Sequence, residues 1–283
     1  MPELPEVEVL ARHLAPLLRG RTIRRVEVRR ARVLRPTTTP ELEATLSGAR
    51  VVDLTRRGKF LLFTLRRAGR RTFTTLIGHL GMTGRMYLQP ARAPLPKHAA
   101  VVLGLGRENF VFEDTRYFGR FTLDASAVAG LGPEPLSEGF TAESFFDALR
   151  RSSQAIKVKL LDQALVAGVG NIYASEALFR AAMSPRRSAR RLTRREVKRL
   201  WRAVRSVLAA AIKFGSTVPL DWRADGQNDG LFYYGRAAGT PDFYQEKLRV
   251  YDREGRPCPR CRAPIRRIVQ AARSTFFCPC CQR

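Results

Sequence analysis

The chain has 283 residues, of which 51 are Lys or Arg and 25 are Asp or Glu, so its formal net charge is +26. The length favours two or three domains, and a hydrophobic content of 45% excludes a largely disordered chain. So large a positive charge is self-repelling unless a polyanion meets it, and nucleic acid is the leading candidate partner.

An anionic membrane is the rival partner for so basic a chain. No stretch of the sequence approaches the roughly 18 consecutive apolar residues of a membrane span, and no leader with a cleavage site is visible. The sequence therefore predicts a cytoplasmic protein that does not enter membranes.

The first six residues, Met-Pro-Glu-Leu-Pro-Glu, place an amine beside two carboxyl groups. If Met1 is removed, Pro2 presents a secondary amine, whose attack on an aldehyde carbon gives a cationic iminium without an extra proton. Glu3 and Glu6 could move protons during such chemistry. The plainer alternative is that the prolines only start a helix. A helix beginning near Pro5 is predicted by apolar residues at three- and four-residue steps: Val7, Leu10, Leu14 and Leu17.

Between residues 21 and 121 the hydrophobic period is two, which predicts strands. These strands cover residues 23–28, 51–54, 60–65, 73–77, 101–105 and 110–112. Short strands at this spacing indicate an antiparallel sandwich or barrel. Arg57-Gly58-Lys59 separates two of them and predicts a turn with Lys59 at an exposed hairpin tip.

Residues 130–139 are a linker by composition, and the period then returns to 3.6. Helices are predicted at 145–149, 156–165, 172–179 and 197–212. The segment from Val166 to Asn171 contains two glycines before a helix start. It predicts either a plain capped turn with Asn171 as the N-cap, or outward amides that bind phosphate. Residues 217–244 lack a period and predict a long functional loop.

All five cysteines lie in the last 26 residues, as Cys258-x-x-Cys261 and Cys278-Pro-Cys-Cys281. Two such knuckles predict a closed structural zinc site with Cys258, Cys261, Cys278 and Cys281 as ligands and Cys280 spare. Strand-like residues 265–269 and 275–277 predict a hairpin whose tip, residues 270–275, carries Arg273. An arginine held there is suited to phosphate binding.

With these features in place, the chain resembles the formamidopyrimidine-DNA glycosylases over nearly its whole length. The resemblance rests on separate motifs in the family's order: Pro2-Glu-Leu-Pro-Glu-Val-Glu8, Arg57-Gly-Lys-Phe60, His79-Leu-Gly-Met82, Asp114-Thr-Arg-Tyr-Phe-Gly119, Ala155-Ile-Lys157, Val169-Gly-Asn-Ile-Tyr173, and the tail with Arg273-Ser-Thr and Cys278-Pro-Cys-Cys-Gln282.

The resemblance implies catalytic roles for five residues. Pro2 is implied as the Schiff-base nucleophile, Glu3 as a proton donor, and Glu6 as support for the site. Lys59 is implied to contact the lesion and donate a proton in β-elimination, and Arg273 to grip phosphate and take part in δ-elimination. The reaction implied is removal of oxidised purines such as 8-oxoguanine, followed by strand cleavage at the abasic site.

The resemblance also implies a DNA-binding set. Asn171, Lys157 and His98 are implied to contact DNA. Met82, Arg116 and Phe118 are implied to fill the gap left by the flipped base, since two apolar groups replace lost stacking and a guanidinium satisfies the orphaned cytosine. Taken alone, Met82 and Phe118 are better explained as core packing.

The implied fold is a multidomain α+β protein. An N-terminal antiparallel β-sandwich with a leading helix (2–130) precedes a helix–two-turns–helix domain (131–245, with a lesion-capping loop at 217–244) and a zinc-finger hairpin (246–283). The implied cofactor is one structural zinc ion, without a catalytic metal or nucleotide, and the partner is damaged double-stranded DNA bound by a monomer. A bacterial, nucleoid-associated location follows.

Two alternatives remain open at this point. A sister branch resembling endonuclease VIII removes oxidised pyrimidines, but it usually begins Pro-Glu-Gly-Pro-Glu and lacks the intact Met82, Arg116 and Phe118 set. A catalytically silent damaged-DNA-binding protein with a zinc hairpin could dispense with Pro2, Glu3 and Lys59. The presence of these residues favours the oxidised-purine enzyme.

Overall fold

The computed structural model describes residues 2–215 and 248–283, which form two compact units. The first, the β unit, contains Pro2 and residues 6–129. The second, the α unit, contains residues 3–5, 130–215 and 248–283. The first helix, α1 (Leu4–Leu18), begins one residue before Pro5, close to its predicted start. Its first residues belong to the α unit and the rest to the β unit.

Two four-stranded antiparallel sheets build the β unit, which confirms the predicted sandwich. One sheet has the order β1-β6-β7-β5 and the other β2-β3-β4-β8. The strands are β1 (Arg25–Val28), β2 (Ala49–Arg57), β3 (Phe60–Arg67), β4 (Phe73–His79), β5 (Arg85–Pro90), β6 (Ala99–Gly104), β7 (Glu108–Glu113) and β8 (Arg120–Thr122). Alternate side chains of both sheets and one face of α1 meet in a single core.

Four elements of the β unit go beyond the predicted strands. Strand β5 has consecutive apolar residues and no alternation, and β8 has only three residues, so neither shows a clear period of two. Helix α2 (Thr39–Leu46) does carry a sequence signal, because Thr38 and Glu41 form a capping box with Pro40 in the first turn. A short helix α3 (Ser126–Ala129) follows β8.

Four helices form the core of the α unit: α4 (Ala142–Arg150), α5 (Ile156–Leu160), α6 (Asn171–Arg180) and α7 (Arg194–Gly215). The prediction that α5 runs to Leu165 is wrong, because the helix ends at Leu160. The side chain of Gln163 holds the following turn instead: its amide donates to the carbonyl oxygens of Leu161 and Val169 and accepts from the Gly168 N–H.

The last element of the α unit is a hairpin of β9 (Arg266–Gln270) and β10 (Arg273–Phe277). The predicted hairpin is present, but its strands reach further than expected and leave a turn of only Ala271 and Ala272. Both alanines have positive φ angles (48° and 57°), as a tight two-residue turn requires. Arg273 is therefore the first residue of β10, directly at the turn, and its side chain is exposed.

The three-domain division stays a prediction. Its boundary at 245/246 and the predicted loop at 217–244 lie outside the described residues. Among the helices that the structure describes, none combines the length and hydropathy needed to cross a membrane.

Candidate functional site

In the α unit, the Glu3 side chain is buried at the N-terminal end of α6. Its carboxylate accepts hydrogen bonds from the Ile172 N–H (2.9 Å) and the Tyr173 N–H (3.3 Å). The next residue, Leu4, donates its N–H to the Gly168 carbonyl oxygen at 3.0 Å. The positive end of a helix stabilises a negative charge, so the turn before α6 fixes both the position and the orientation of Glu3.

This arrangement corrects two expectations about the turn. Gly170, with extended backbone, is the N-cap of α6 and no side chain caps the helix from that position, so the prediction of Asn171 as the N-cap is wrong. Two of the amides expected to face outward toward phosphate bind the Glu3 carboxylate instead. A carboxylate from the start of the chain thus satisfies the orphan N–H groups of this helix.

The two glycines of the turn are needed because the N-terminal residues approach so closely. A Cβ atom on Gly170 would lie 2.2 Å from Cδ of Glu3. A Cβ atom on Gly168, whose φ is +87°, would lie 2.6 Å from Cβ of Leu4. Only residues without a side chain allow Glu3 and Leu4 to occupy these places.

Lys157, Asn171 and the hairpin form a hydrogen-bonded chain. Lys157 Nζ donates to Asn171 Oδ1 at 2.5 Å, and Asn171 Nδ2 donates to the carbonyl oxygen of Ser274 at 2.8 Å. Lys157 is only 1% exposed. Its burial lowers its pKa to about 8, while the charge of Glu3 raises it and that of Arg273 lowers it. Three residues predicted separately, Lys157, Asn171 and Arg273, therefore belong to one cationic cluster.

Glu176 is a residue whose role the sequence did not suggest. Its buried carboxylate accepts from the N–H groups of Arg249, Val250 and Tyr251. Burial raises the pKa of Glu176, and the backbone donors oppose this. Glu176 ties the segment that precedes the zinc hairpin to α6. The only sequence signal is one carboxylate within an otherwise apolar helical face.

The four predicted zinc ligands come together in the α unit. The Sγ atoms of Cys258, Cys261, Cys278 and Cys281 all lie within 4.8 Å of one another. Sγ separations of 3.9 Å (Cys258–Cys281) and 3.4 Å (Cys261–Cys278) match the edge of a tetrahedron, about 3.8 Å for Zn–S bonds of about 2.3 Å. Cys280 is exposed and outside this set. These thiols suit one structural zinc ion.

In the β unit, Met82, Arg116 and Phe118 form one exposed cluster. The Arg116 guanidinium lies 4.9 Å from the centroid of the Phe118 ring, and its Nη1 donates to Met82 Sδ at 3.5 Å. Met82 is 42% exposed and Phe118 is 47% exposed. Core packing, the plainer explanation of these two side chains, is therefore excluded.

A buried carboxylate that the sequence did not single out holds this cluster. Asp114 accepts from Thr83 Oγ1 (2.6 Å), the Arg116 N–H (3.1 Å) and the Gly119 N–H (2.8 Å). The loop of Met82 and the loop of Phe118 also touch, since a Cβ atom on Gly81 would lie 2.6 Å from the Gly119 nitrogen. Asp114 thus joins the two loops that present the three exposed side chains.

Replacing Asp114 by Asn is expected to destabilise the β unit by about 1–3 kcal/mol, because an amide nitrogen would face backbone N–H donors in a buried site. Thermal unfolding measures this loss. Asp53→Asn is the matched control, since its ion pair with Arg19 is exposed and costs at most about 1 kcal/mol. Equal melting temperatures for the Asp114 variant and the wild type would contradict the role given to Asp114.

Lys59 departs from its predicted environment. Gly58 and Lys59 do form the turn between β2 and β3, but Lys59 is only 7% exposed, so the prediction of an exposed tip is wrong. Its charge is felt by His79, which lies opposite Phe60 in the β3–β4 pair. The pKa of His79 is lowered to about 4, by burial first and then by the charges of Lys59 and Arg120, against an opposing effect of Asp114.

The remaining predicted residues of the β unit have the following surroundings. His98 Nδ1 lies 3.2 Å from the Tyr117 hydroxyl. Tyr117 has a positive φ of 52°, and the Arg30 guanidinium lies 5.4 Å from its ring centroid. Pro2 and Glu6 are both buried.

Comparison with known families finds three matches along the chain. Residues 1–121 match the formamidopyrimidine-DNA glycosylase N-terminal domain. Residues 131–220 match the H2TH domain of the same family. Residues 255–283 match a zinc finger found in FPG and IleRS. Together these regions cover most of the chain.

Relatives of similar length exist in several bacteria. The formamidopyrimidine-DNA glycosylase of a Thermus thermophilus strain is 44% identical over 289 residues, which covers 100% of this chain and 98% of the relative. That of Paracoccus denitrificans is 44% identical over 299 residues, covering 100% of both chains.

Solved structures agree with this similarity. The MutM (Fpg) protein of Thermus thermophilus superposes with a TM-score of 0.82 at 42% identity, covering 99% of this chain and 98% of that chain. A Lactococcus lactis Fpg in complex with DNA containing FAPY-dG gives a TM-score of 0.85 at 32% identity, covering 99% of this chain and 100% of that chain.

Proposed function

Because the chain belongs to the formamidopyrimidine-DNA glycosylase family, we propose that Pro2 is the nucleophile with which it removes oxidised purines from DNA. The family's members are DNA glycosylases of base-excision repair that also cleave abasic sites. The observation that carries the proposal is the anchoring of Glu3, the residue after Pro2, on the N-terminal end of α6 beside Lys157.

The first chemical step joins Pro2 to the sugar of a flipped nucleotide. A base inside a duplex cannot be reached, so the nucleotide turns out of the stack. The Pro2 nitrogen bonds to C1′, and the glycosidic bond breaks with its electron pair leaving on the base. Glu3 delivers the proton that the leaving base takes up. The amine then gives up its own proton to O4′, the C1′–O4′ bond opens with its electron pair on O4′, and the nitrogen lone pair forms the iminium with C1′.

The second step cleaves the strand. The iminium cation is an electron sink that acidifies the hydrogen on C2′, and loss of that proton expels the 3′-phosphate. Lys59, which is only 7% exposed in the turn between β2 and β3, is the proposed proton carrier here. A further elimination expels the 5′-phosphate, for which exposed Arg273 supplies the cation.

The partner that we propose is damaged double-stranded DNA, bound by one copy of the chain in the bacterial nucleoid. Asn171, Arg273 and His98 would contact its phosphates, and Lys157, which is only 1% exposed, would hold Asn171 in place for such a contact. Met82, Arg116 and Phe118 would replace the flipped nucleotide, with Arg116 facing the orphaned base. The presence of this exposed set supports an oxidised-purine substrate over an oxidised pyrimidine.

Borohydride trapping tests the proposal. The chain is incubated with a duplex containing 8-oxoguanine opposite cytosine, and reduction of the iminium should leave a covalent protein–DNA adduct. A duplex with unmodified guanine is the control and should leave none. Failure to trap an adduct while zinc is bound and DNA affinity is intact would refute the proposal and leave a binding protein.

Intact-mass measurement tests the amine itself. Only loss of Met1 makes the Pro2 nitrogen an amine instead of an amide, so the active preparation should lack that methionine. A fully retained Met1 in active protein would exclude Pro2 as the nucleophile.

A further inference from the structure

Six exposed arginines form a separate basic surface on the α unit, which we call the arginine patch. They lie at the end of α4, in the 3-10 turn at Ala189–Arg191, and at the start of α7. The members are Arg150, Arg151, Arg190, Arg191, Arg194 and Arg195. None of them belongs to the predicted active site.

Contacts between the three segments hold the patch together. Arg150 Nη1 donates to the Arg190 carbonyl oxygen at 3.2 Å, and the Arg190 N–H donates to the Ser152 carbonyl oxygen at 2.9 Å. The Phe146 ring is shared by two members, since the guanidinium of Arg194 lies 4.4 Å and that of Arg150 lies 5.9 Å from its centroid. The patch is therefore one built surface and not six independent side chains.

The positive charge of the patch is not compensated within residues 2–215 and 248–283. In that part of the chain, no carboxylate lies within 4.0 Å of any of the six guanidinium groups. Glu196, in the first turn of α7, pairs with Arg187 instead. Arg194 and Arg195 also lie where the positive end of α7 disfavours cations. Six uncompensated positive charges beside the positive end of a helix repel one another. Such repulsion is typical of a surface that binds a polyanion.

The patch adjoins the segment that leads into α5. The Ala189 N–H donates to the Gln154 carbonyl oxygen at 2.9 Å, and Ala155 forms a bridge with Ser188. Lys157 follows two residues later. This segment connects the patch directly to α5, the helix that carries Lys157. A phosphate backbone bound near Lys157 can therefore continue onto the arginines.

We propose that the arginine patch binds the sugar-phosphate backbone of duplex DNA outside the damaged nucleotide. The inference rests on the proposed function only for the identity of the partner, duplex DNA. It does not depend on the role of any catalytic residue. Such contacts carry no sequence or damage information. Their effect is to raise affinity for any duplex and so to hold the enzyme on undamaged DNA while it searches.

The test removes three charges with the least structural disturbance. Arg151, Arg191 and Arg195 make no side-chain hydrogen bond, ion pair or ring contact with other described residues, so we choose the triple variant R151Q/R191Q/R195Q. The matched control is R66Q/R70Q/R71Q, three exposed arginines at the end of β3 and in the turn that follows. Both variants lose the same net charge, and both are assayed as full-length protein with zinc.

The measurement is the dependence of affinity on salt for an undamaged duplex. Three lost phosphate contacts should make the log–log slope shallower by about 2.7. The control should keep the wild-type slope, and borohydride trapping at saturating enzyme should be unchanged in both variants. An unchanged slope in the patch variant, or the same change in the control, would overturn the proposal. A change seen only with single-stranded RNA would overturn the choice of duplex DNA.

The two proposals fail separately. Loss of trapping in the wild type refutes the catalytic function while leaving the salt dependence to be measured. An unaltered slope refutes the patch while trapping remains.

Discussion

A Gly170→Ala variant is expected to lose base-excision activity by about 100-fold or more, the usual range for loss of a positioned general acid. The new methyl group would lie 2.2 Å from Cδ of Glu3, so the carboxylate must leave the amides of Ile172 and Tyr173. The backbone at Gly170 is extended and accepts alanine without strain. The loss therefore reports the position of Glu3 and not a failure to fold.

Two rates measured in single turnover distinguish these explanations. Excision of 8-oxoguanine depends on the proposed proton donation by Glu3, whereas cleavage of a preformed abasic site does not require a leaving base. The first rate should fall more than the second. Gly130→Ala is the control, since nothing lies within 4 Å of a Cβ atom there. An equal fall in both rates together with a large drop in melting temperature would show a general structural defect instead.

A Cys258→Ser variant is expected to lose its zinc and to bind damaged duplex DNA about 100-fold more weakly. Zinc supplies about 10–16 kcal/mol of folding free energy in small metal-stapled modules. Without zinc, the hairpin no longer holds Arg273 in position. The hydrogen bond from Asn171 Nδ2 to the Ser274 carbonyl oxygen is lost as well. Losing two charge-assisted contacts of about 1.5 kcal/mol each gives a 100-fold change in Kd. Zinc content and fluorescence titration with DNA measure both effects.

Cys280→Ser provides the matched control for this prediction. The substitution is chemically the same and lies two residues from Cys278, but Cys280 is exposed and outside the four-thiol cluster. It should keep one zinc ion per chain and wild-type affinity. Loss of zinc in the Cys280 variant, or its retention in the Cys258 variant, would contradict the ligand assignment.

The parts of this structure that are visible in the sequence are those with a short repeat or fixed spacing. The period of two identified six strands of the sandwich, and the period of 3.6 located the helices of the α unit. The cysteine spacing identified the ligand set, including the choice of Cys281 over Cys280. Each of these signals depends on neighbours along the chain, which is why a single sequence carries it.

What the sequence could not reveal depends on contacts between distant segments. Glu3 caps a helix 169 positions further along the chain. The Asn171 side chain is therefore not needed as the cap and instead hydrogen-bonds to Lys157 and to the hairpin. Asp114 was visible only as part of a motif, and its bond to Thr83 spans 31 positions. Lys59 follows a glycine in a tight turn, a place where most lysines are solvated, yet it is buried.

Met82 is 42% exposed, which leaves its thioether open to oxidants in solution. Oxidation of a thioether to the sulfoxide turns an apolar group into a strong hydrogen-bond acceptor. Arg116 already donates to this sulfur at 3.5 Å, and a sulfoxide oxygen would hold the guanidinium more firmly in place. A sulfoxide at Met82 would thus keep Arg116 from the orphaned base that we propose it faces, and reduction of the sulfoxide would free the guanidinium again.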